Sequence, residues 1–192
     1  MIGLAFLCLM LFLALFEPGL PYTITRAPAR LDAPGFLRML GALVDSPFDH
    51  GTRIEVLTNG EVYYEAEVEA IAAARHSVNL EAYIFRKGDV TRRFIAVLAE
   101  RARAGVHVNM VLDAVGSFAT WPSYLEPLQK AGARVHWYHP LRWPTLHRFT
   151  NRTHRELIIV DGRLAFIGGA GFGDQWRFDR GAHKRRWRDT MF

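Results

Sequence analysis

The chain has 192 residues, half of them hydrophobic, which suffices for one folded domain with its own core once an apolar N-terminal segment is set aside. Lys and Arg number 24 against 19 Asp and Glu, and the resulting net charge of +5 favours an anionic partner without choosing between phosphate headgroups, nucleic acid and an acidic membrane face. The single cysteine, Cys8, excludes an intrachain disulfide and a cysteine-built zinc site.

Residues Ile2 to Phe16 contain no charged side chain, and Glu17-Pro18-Gly19 ends them as a Pro/Gly break ends a helix. Fifteen residues are fewer than the roughly 20 that cross a bilayer, so the reading is that either Leu20 to Tyr22 extend the contact or the first residues of the natural protein are missing. No Lys or Arg precedes the run and no small-x-small cleavage site follows it, which favours a membrane anchor over residues 1–22 above a cleaved signal peptide. A Pro-containing linker runs from about Tyr22 to Pro34. Phe36, Met39, Leu40, Leu43 and Val44 then recur at helical spacing, predicting an amphipathic helix within a 23–52 segment that packs on the domain or on the bilayer surface.

From Arg53 the texture alternates between strand and helix. Arg53 to Thr58 reads as a strand, Asn59-Gly60 as a turn, and Glu61 to Arg75 as a helix with Tyr64, Val68, Ile71 and Ala72 on one face. Strands follow at Ser77 to Ile84, Val106 to Leu112 and Arg134 to Tyr138, with helices at Val90 to Ala104 and Tyr124 to Ala131 between them. This rhythm predicts an α/β layer structure with a central, mostly parallel sheet flanked by helices and preceded by the N-terminal membrane helix. After an irregular, basic and aromatic stretch from Pro140 to Arg152, His154 to Val160 reads as a strand. Asp161-Gly162 is a hairpin pair, and Arg163 to Ile167 is its second strand. Period-two alternation sets His154 and Glu156 on one face. Gly168-Gly169-Ala170-Gly171 then lets the backbone turn where a phosphate can approach. A dinucleotide loop in Gly169-Ala170-Gly171-Phe172-Gly173 is rejected, because its sixth position is Asp174 and no crossover helix follows.

His154, Asp161 seven residues on, and Gly168-Gly169 together resemble the His-x-Lys-x4-Asp…Gly-Gly motif of the phospholipase D superfamily. Asn59-Gly60, Asn79-Leu80-Glu81-Ala82-Tyr83-Ile84-Phe85, Asp113-Ala114-Val115-Gly116-Ser117, Gly173-Asp174-Gln175-Trp176 and Trp187-Arg188-Asp189-Thr190 are similar to the bacterial cardiolipin synthase branch. The resemblance covers residues 53–192, as a first phospholipase D-like domain that is incomplete at its C-terminus. Two positions depart from the pattern. Glu156 stands where the family has lysine, and Gly171 where it has asparagine. A carboxylate in place of a cation facing the substrate phosphate removes an attraction and adds a repulsion.

The resemblance implies a phosphatidyltransferase that works through a phosphohistidine: one motif histidine attacks phosphorus, and the histidine of a second motif protonates the leaving alcohol. Imidazole suits both tasks because it titrates near neutrality. No second motif occurs here, so the implied partners are a phospholipid substrate, a membrane and a second phospholipase D-like half, supplied by a longer chain or a dimer mate. Neither cofactor nor metal is implied, nor is a nucleic acid expected, and the implied location is the bacterial inner membrane. Candidate catalytic residues are His154, Glu156 and Asp161; Gly168, Gly169, Arg152, Glu81 and Asp113 are candidates for binding substrate. Bland roles compete: Asp161 as a turn residue, and Glu81 and Asp113 as buried hydrogen-bonded or surface groups. The basic cluster His183 to Arg188 is a solvated loop or a headgroup contact. A catalytically silent binding module and a nuclease of the same superfamily are the alternatives to an enzyme acting on lipid.

Overall fold

The computed structural model describes residues 2–15, 30–48, 51–140, 142–143, 149–177 and 187–192. The Glu17-Pro18-Gly19 break, most of the 22–34 linker and the basic residues 183–186 lie outside the described residues.

Helix α1 (Ile2–Leu15) has 14 residues. At about 1.5 Å per residue it is roughly 21 Å long, short of the ~30 Å hydrocarbon layer. Among the described residues no helix is long and apolar enough to cross a membrane. The expected N-terminal membrane helix is therefore met only as a short apolar helix. Helix α2 (Phe36–Val44) falls in a separate small unit. Phe36, Met39 and Leu40 are half-buried there while Leu37, Leu43 and Val44 are exposed, and α2 has no fully buried residue.

The rest builds one seven-stranded sheet. In chain order its elements are β1 (Leu57–Thr58), α3 (Gly60–Ala73), β2 (Ser77–Ala82), α4 (Asp89–Arg103) and β3 (His107–Asp113), then a 3-10 turn at Pro122–Leu125 leading into α5 (Glu126–Lys130). They continue with β4 (Arg134–Tyr138), β5 (Glu156–Val160), β6 (Leu164–Gly168), a 3-10 turn at Asp174–Trp176 and β7 (Thr190–Met191). The strand order is β1-β7-β6-β5-β2-β3-β4.

The sheet is mixed, which corrects the expected mostly parallel sheet. Only β2–β3 and β3–β4 are parallel; β5 runs antiparallel to β2, and β5–β6, β6–β7 and β7–β1 are antiparallel too. The cause is connection length. Strands joined by α4 or α5 return in the same direction, whereas the Asp161-Gly162 hairpin forces reversal. Arg53 to Ile54 and their neighbours up to Val56 do not join β1, so the first predicted strand shrinks to two residues.

Helices α3, α4 and α5 cover the sheet face that carries Val78, Leu80, Met110, Leu112 and Ile158. Phe94 of α4 is 1% exposed and stands edge-on to Phe172, with ring centroids 4.9 Å apart. Cutting such a ring to alanine costs about 3–5 kcal/mol. On α3 the buried set is Gly60, Tyr63, Tyr64, Glu67 and Ile71, with Ala72 exposed, so the inward face is rotated from the expected one and includes a carboxylate.

Candidate active site

Parallel strands tend to gather ligands at their carboxyl ends. Here β2 and β3 end at Ala82 and Asp113, and β5 begins at Glu156 opposite Ala82. Residues 152–155 therefore enter the same sheet end from the opposite direction, just before pairing starts. His154 lies in this unpaired segment, exposed to solvent. Its ring packs against that of Tyr83, with centroids 4.3 Å apart and planes at 46°. Tyr83 is braced from behind: Ser117 Oγ donates to its carbonyl at 2.9 Å. A Cβ on Gly116 would sit 2.2 Å from that same oxygen and 2.6 Å from the ring, so only glycine fits there.

Glu156 does not share the exposure of His154. It opens the buried row of β5, Glu156, Ile158 and Val160, and is 4% exposed. Its Oε1 accepts from Ile84 N at 3.0 Å, and Oε2 has no hydrogen-bond partner among the described residues. Burial pushes this carboxyl up to about 8; the Ile84 and Tyr83 N–H groups oppose the rise, and the charges of Asp189 and Glu81 add to it. Glu67 of α3, 1% exposed, is raised well above the usual carboxylate range by burial and then by Glu156. The motif position that carries lysine in the family thus holds a neutral carboxyl near neutral pH.

Asp161 is not brought to this end. It sits in the hairpin at the far end of β5 with φ +53. Its carboxylate accepts the N–H groups of Arg75 (2.9 Å), His76 (2.7 Å) and Ser77 (2.8 Å), just ahead of β2 and at its first residue. Those three bonds, from Ser77, Arg75 and His76, hold it down to about 2. Asp161 pins two chain segments together, which is the turn role that sequence allowed for it.

Asp113 is fully buried and saturated. Oδ1 accepts from Val115 N (2.8 Å), Gly116 N (2.9 Å) and Arg152 Nη1 (3.4 Å), and Oδ2 from Thr153 N (3.1 Å). Arg152, its side chain 7% exposed, also donates to the carbonyl of His139 at 3.2 Å. Glu81 Oε1 accepts from Thr153 Oγ1 and, at 3.2 Å, from Arg155 Nη1. Glu81, Asp113 and Arg152 therefore converge beside His154, but they bind the chain that carries it.

Gly168 pairs with Glu156 across β5 and β6, and Gly169 follows it. A Cβ on Gly168 would lie 2.3 Å from Met191 Sδ, and one on Gly169 3.0 Å from an Asp189 carboxylate oxygen. Close packing of the C-terminal strand explains these glycines. It also brings to the site Asp189, a half-buried carboxylate that sequence reasoning did not single out. The signal was there: Trp187-Arg188-Asp189-Thr190 was among the stretches that matched the family.

Residues 68–180 match the family model described as "Cardiolipin synthase, PLD-like domain". The chain is 33% identical over 176 residues to a cardiolipin synthase of Geobacillus sp. (strain WCH70), covering 91% of this chain and 35% of that protein. It is 33% identical over 156 residues to cardiolipin synthase A of Pseudomonas fluorescens, covering 80% of this chain and 32% of that protein. The chain thus spans about a third of the length of the curated relatives it matches. Among solved structures, NucT from Helicobacter pylori superposes with a TM-score of 0.50 at 16% identity, over 71% of this chain and 82% of that one, a likeness of fold.

Proposed function

Because this chain belongs to the family of cardiolipin synthase, phospholipase D-like domains, we propose that it supplies one half-site of a phosphatidyltransferase acting on phospholipid phosphodiesters. The observation that carries the reading is His154, the motif histidine, standing exposed where three strand ends meet, with its ring seated on Tyr83. In the proposed reaction one imidazole nitrogen attacks phosphorus and the phosphorus–oxygen bond to the leaving alcohol breaks, while the histidine of a second half gives that oxygen its proton. An acceptor alcohol then attacks the phosphohistidine, the phosphorus–nitrogen bond breaks, and the second half's imidazole, now neutral, takes the alcohol's proton. His154 fills one of these two roles. Gly168 and Gly169 border the space for the phosphate, Arg152, Glu81 and Asp113 hold the histidine segment, and Asp161 acts at a distance by fixing the hairpin.

We place residues 1–22 as a bilayer contact in which α1 is the apolar part, residues 23–52 as the connection, and residues 53–192 as the first phospholipase D-like domain, working at a bacterial inner membrane with a second such domain. One observation favours a second reading: the buried carboxyl of Glu156 offers a phosphate no cation, as expected of a binding module that has lost the chemistry.

The test is transfer activity on phosphatidylglycerol vesicles, with the chain supplied with a second half. His154→Ala should lower turnover by at least about a thousandfold, the scale of losing a nucleophile or its acid. Turnover within a few-fold of the original sinks the assignment, and an original protein that is itself inactive but binds lipid supports the silent module.

A further inference from the structure

The ladder between β2 and β5 ends at the Ala82–Glu156 pair, so no sheet bond fixes residues 152–155. Side chains do it instead. Thr153 is 5% exposed and is gripped twice: Asp113 Oδ2 accepts its N–H at 3.1 Å, and Glu81 Oε1 accepts its hydroxyl. The two carboxylates come from neighbouring parallel strands, one residue short of the end of β2 and at the end of β3. Each is also paired to an arginine flanking the grip, Arg152 to Asp113 and Arg155 to Glu81. Charges therefore balance along the seat, and hydrogen bonds to charged acceptors are the strong kind, here buried on the Asp113 side and partly open to water on the Glu81 side. His154 is the one residue of the four whose side chain joins neither carboxylate.

We infer that Thr153 is a positioning residue for the proposed reaction: its doubly held backbone and hydroxyl fix the direction from which His154 reaches the phosphorus. The inference rests on His154 being catalytic. Residue type matters here, since serine keeps the hydroxyl and valine keeps the shape without it. Loss of the grip lets the histidine segment drift on its unpaired backbone, and a displacement of about 1 Å costs on the order of a hundredfold in rate. Substrate contacts elsewhere are unaffected.

Two measurements test this. In the transfer assay with the second half present, Thr153→Val should lower kcat by about 10- to 100-fold with KM within about threefold, and Thr153→Ser should restore most of it. Glu81→Leu, which removes the acceptor, should add little to Thr153→Val, because both break the bond between the Thr153 hydroxyl and Glu81, and the Arg155 side chain that Glu81 also holds is largely exposed. The second readout needs no activity. In the 192-residue chain in detergent, the His154 ring protons should carry a ring-current shift from Tyr83 in proton NMR; Thr153→Val should collapse it towards the free-histidine position, and Thr153→Ser should keep it. An unchanged kcat with only a lower Tm, a loss confined to KM, a serine variant as poor as valine, or an unmoved His154 signal each overturns the inference. Should His154→Ala prove active, the catalytic reading falls, and the NMR comparison still decides whether Thr153 sets the ring.

Discussion

Replacing Glu156 by glutamine should remove a pH dependence from the stability of this domain. The carboxyl has an ordinary value of 4.5 and is pushed to about 8 inside the fold. Between those values the folded chain keeps the proton and the unfolded chain has released it, so stability falls as pH rises. The stabilisation is fully present below about pH 4.5 and gone above about 8. At 1.36 kcal/mol per unit, the 3.5-unit window amounts to at most about 5 kcal/mol, comparable with the whole stability of many domains. Glutamine matches the shape, its oxygen can still accept the Ile84 N–H, and it does not titrate. Urea unfolding of the 192-residue chain in detergent, followed by tryptophan fluorescence from pH 5 to 9, should give nearly equal midpoints for the two proteins at pH 5 and a more stable Glu156→Gln at pH 9. Some slope should remain in the variant from Glu67, which burial also raises. Parallel curves for the two proteins would refute the burial of an ionisable Glu156.

Glu67→Gln combined with Glu156→Gln should flatten the remaining slope over the same range, read by the same urea series. Asp161→Asn should lower the unfolding midpoint at neutral pH while leaving kcat of the proposed transfer within about twofold, because the three N–H groups that Asp161 holds lie at the far end of β5. Its depressed carboxyl contributes stability above about pH 3.8 that is lost as pH falls towards 2, so the variant and the original should converge in acid unfolding. Gly116→Ala should destabilise by about 1–3 kcal/mol through overpacking against Tyr83 and should disturb the His154 ring signal as well. A neutral effect in thermal unfolding would mean the loop has room to yield.

Much of the scaffold was legible because it rests on local signals. Strand β4 falls on the predicted residues Arg134 to Tyr138, α4 is within a residue or so of its expected ends, and Asp161-Gly162 turns the hairpin. Strand direction was not legible. The βαβ rhythm of residues 77–138 predicts parallel pairing, yet which strand receives β5 depends on long-range packing that no local pattern encodes. Strand β7, two residues long, is too short to leave a pattern. Glu81 and Asp113 read as strand-end residues and stand near the ends of β2 and β3, but no local pattern shows that they turn to Thr153. Period-two alternation set His154 and Glu156 on one face; the histidine precedes the strand, so alternation does not govern it. No pattern marks Glu67, and Glu156 reads as a carboxylate facing the phosphate, so the burial of the two was not legible. Charged residues are taken as outward-facing, and a carboxyl that keeps its proton escapes that rule.

The antiparallel arrival of β5 beside β2 also has a kinetic meaning. Glu81 meets Thr153 across 72 positions of chain, Ile84 meets Glu156 across the same distance, and Ser77 meets Asp161 across 84. Loop closure over such spans must precede any gain from these contacts, whereas β2, α4, β3, α5 and β4 can assemble from nearer neighbours. The histidine seat is then among the last parts of the domain to form, and a growing chain holds the parallel β2–β3–β4 scaffold before it holds the seat of His154.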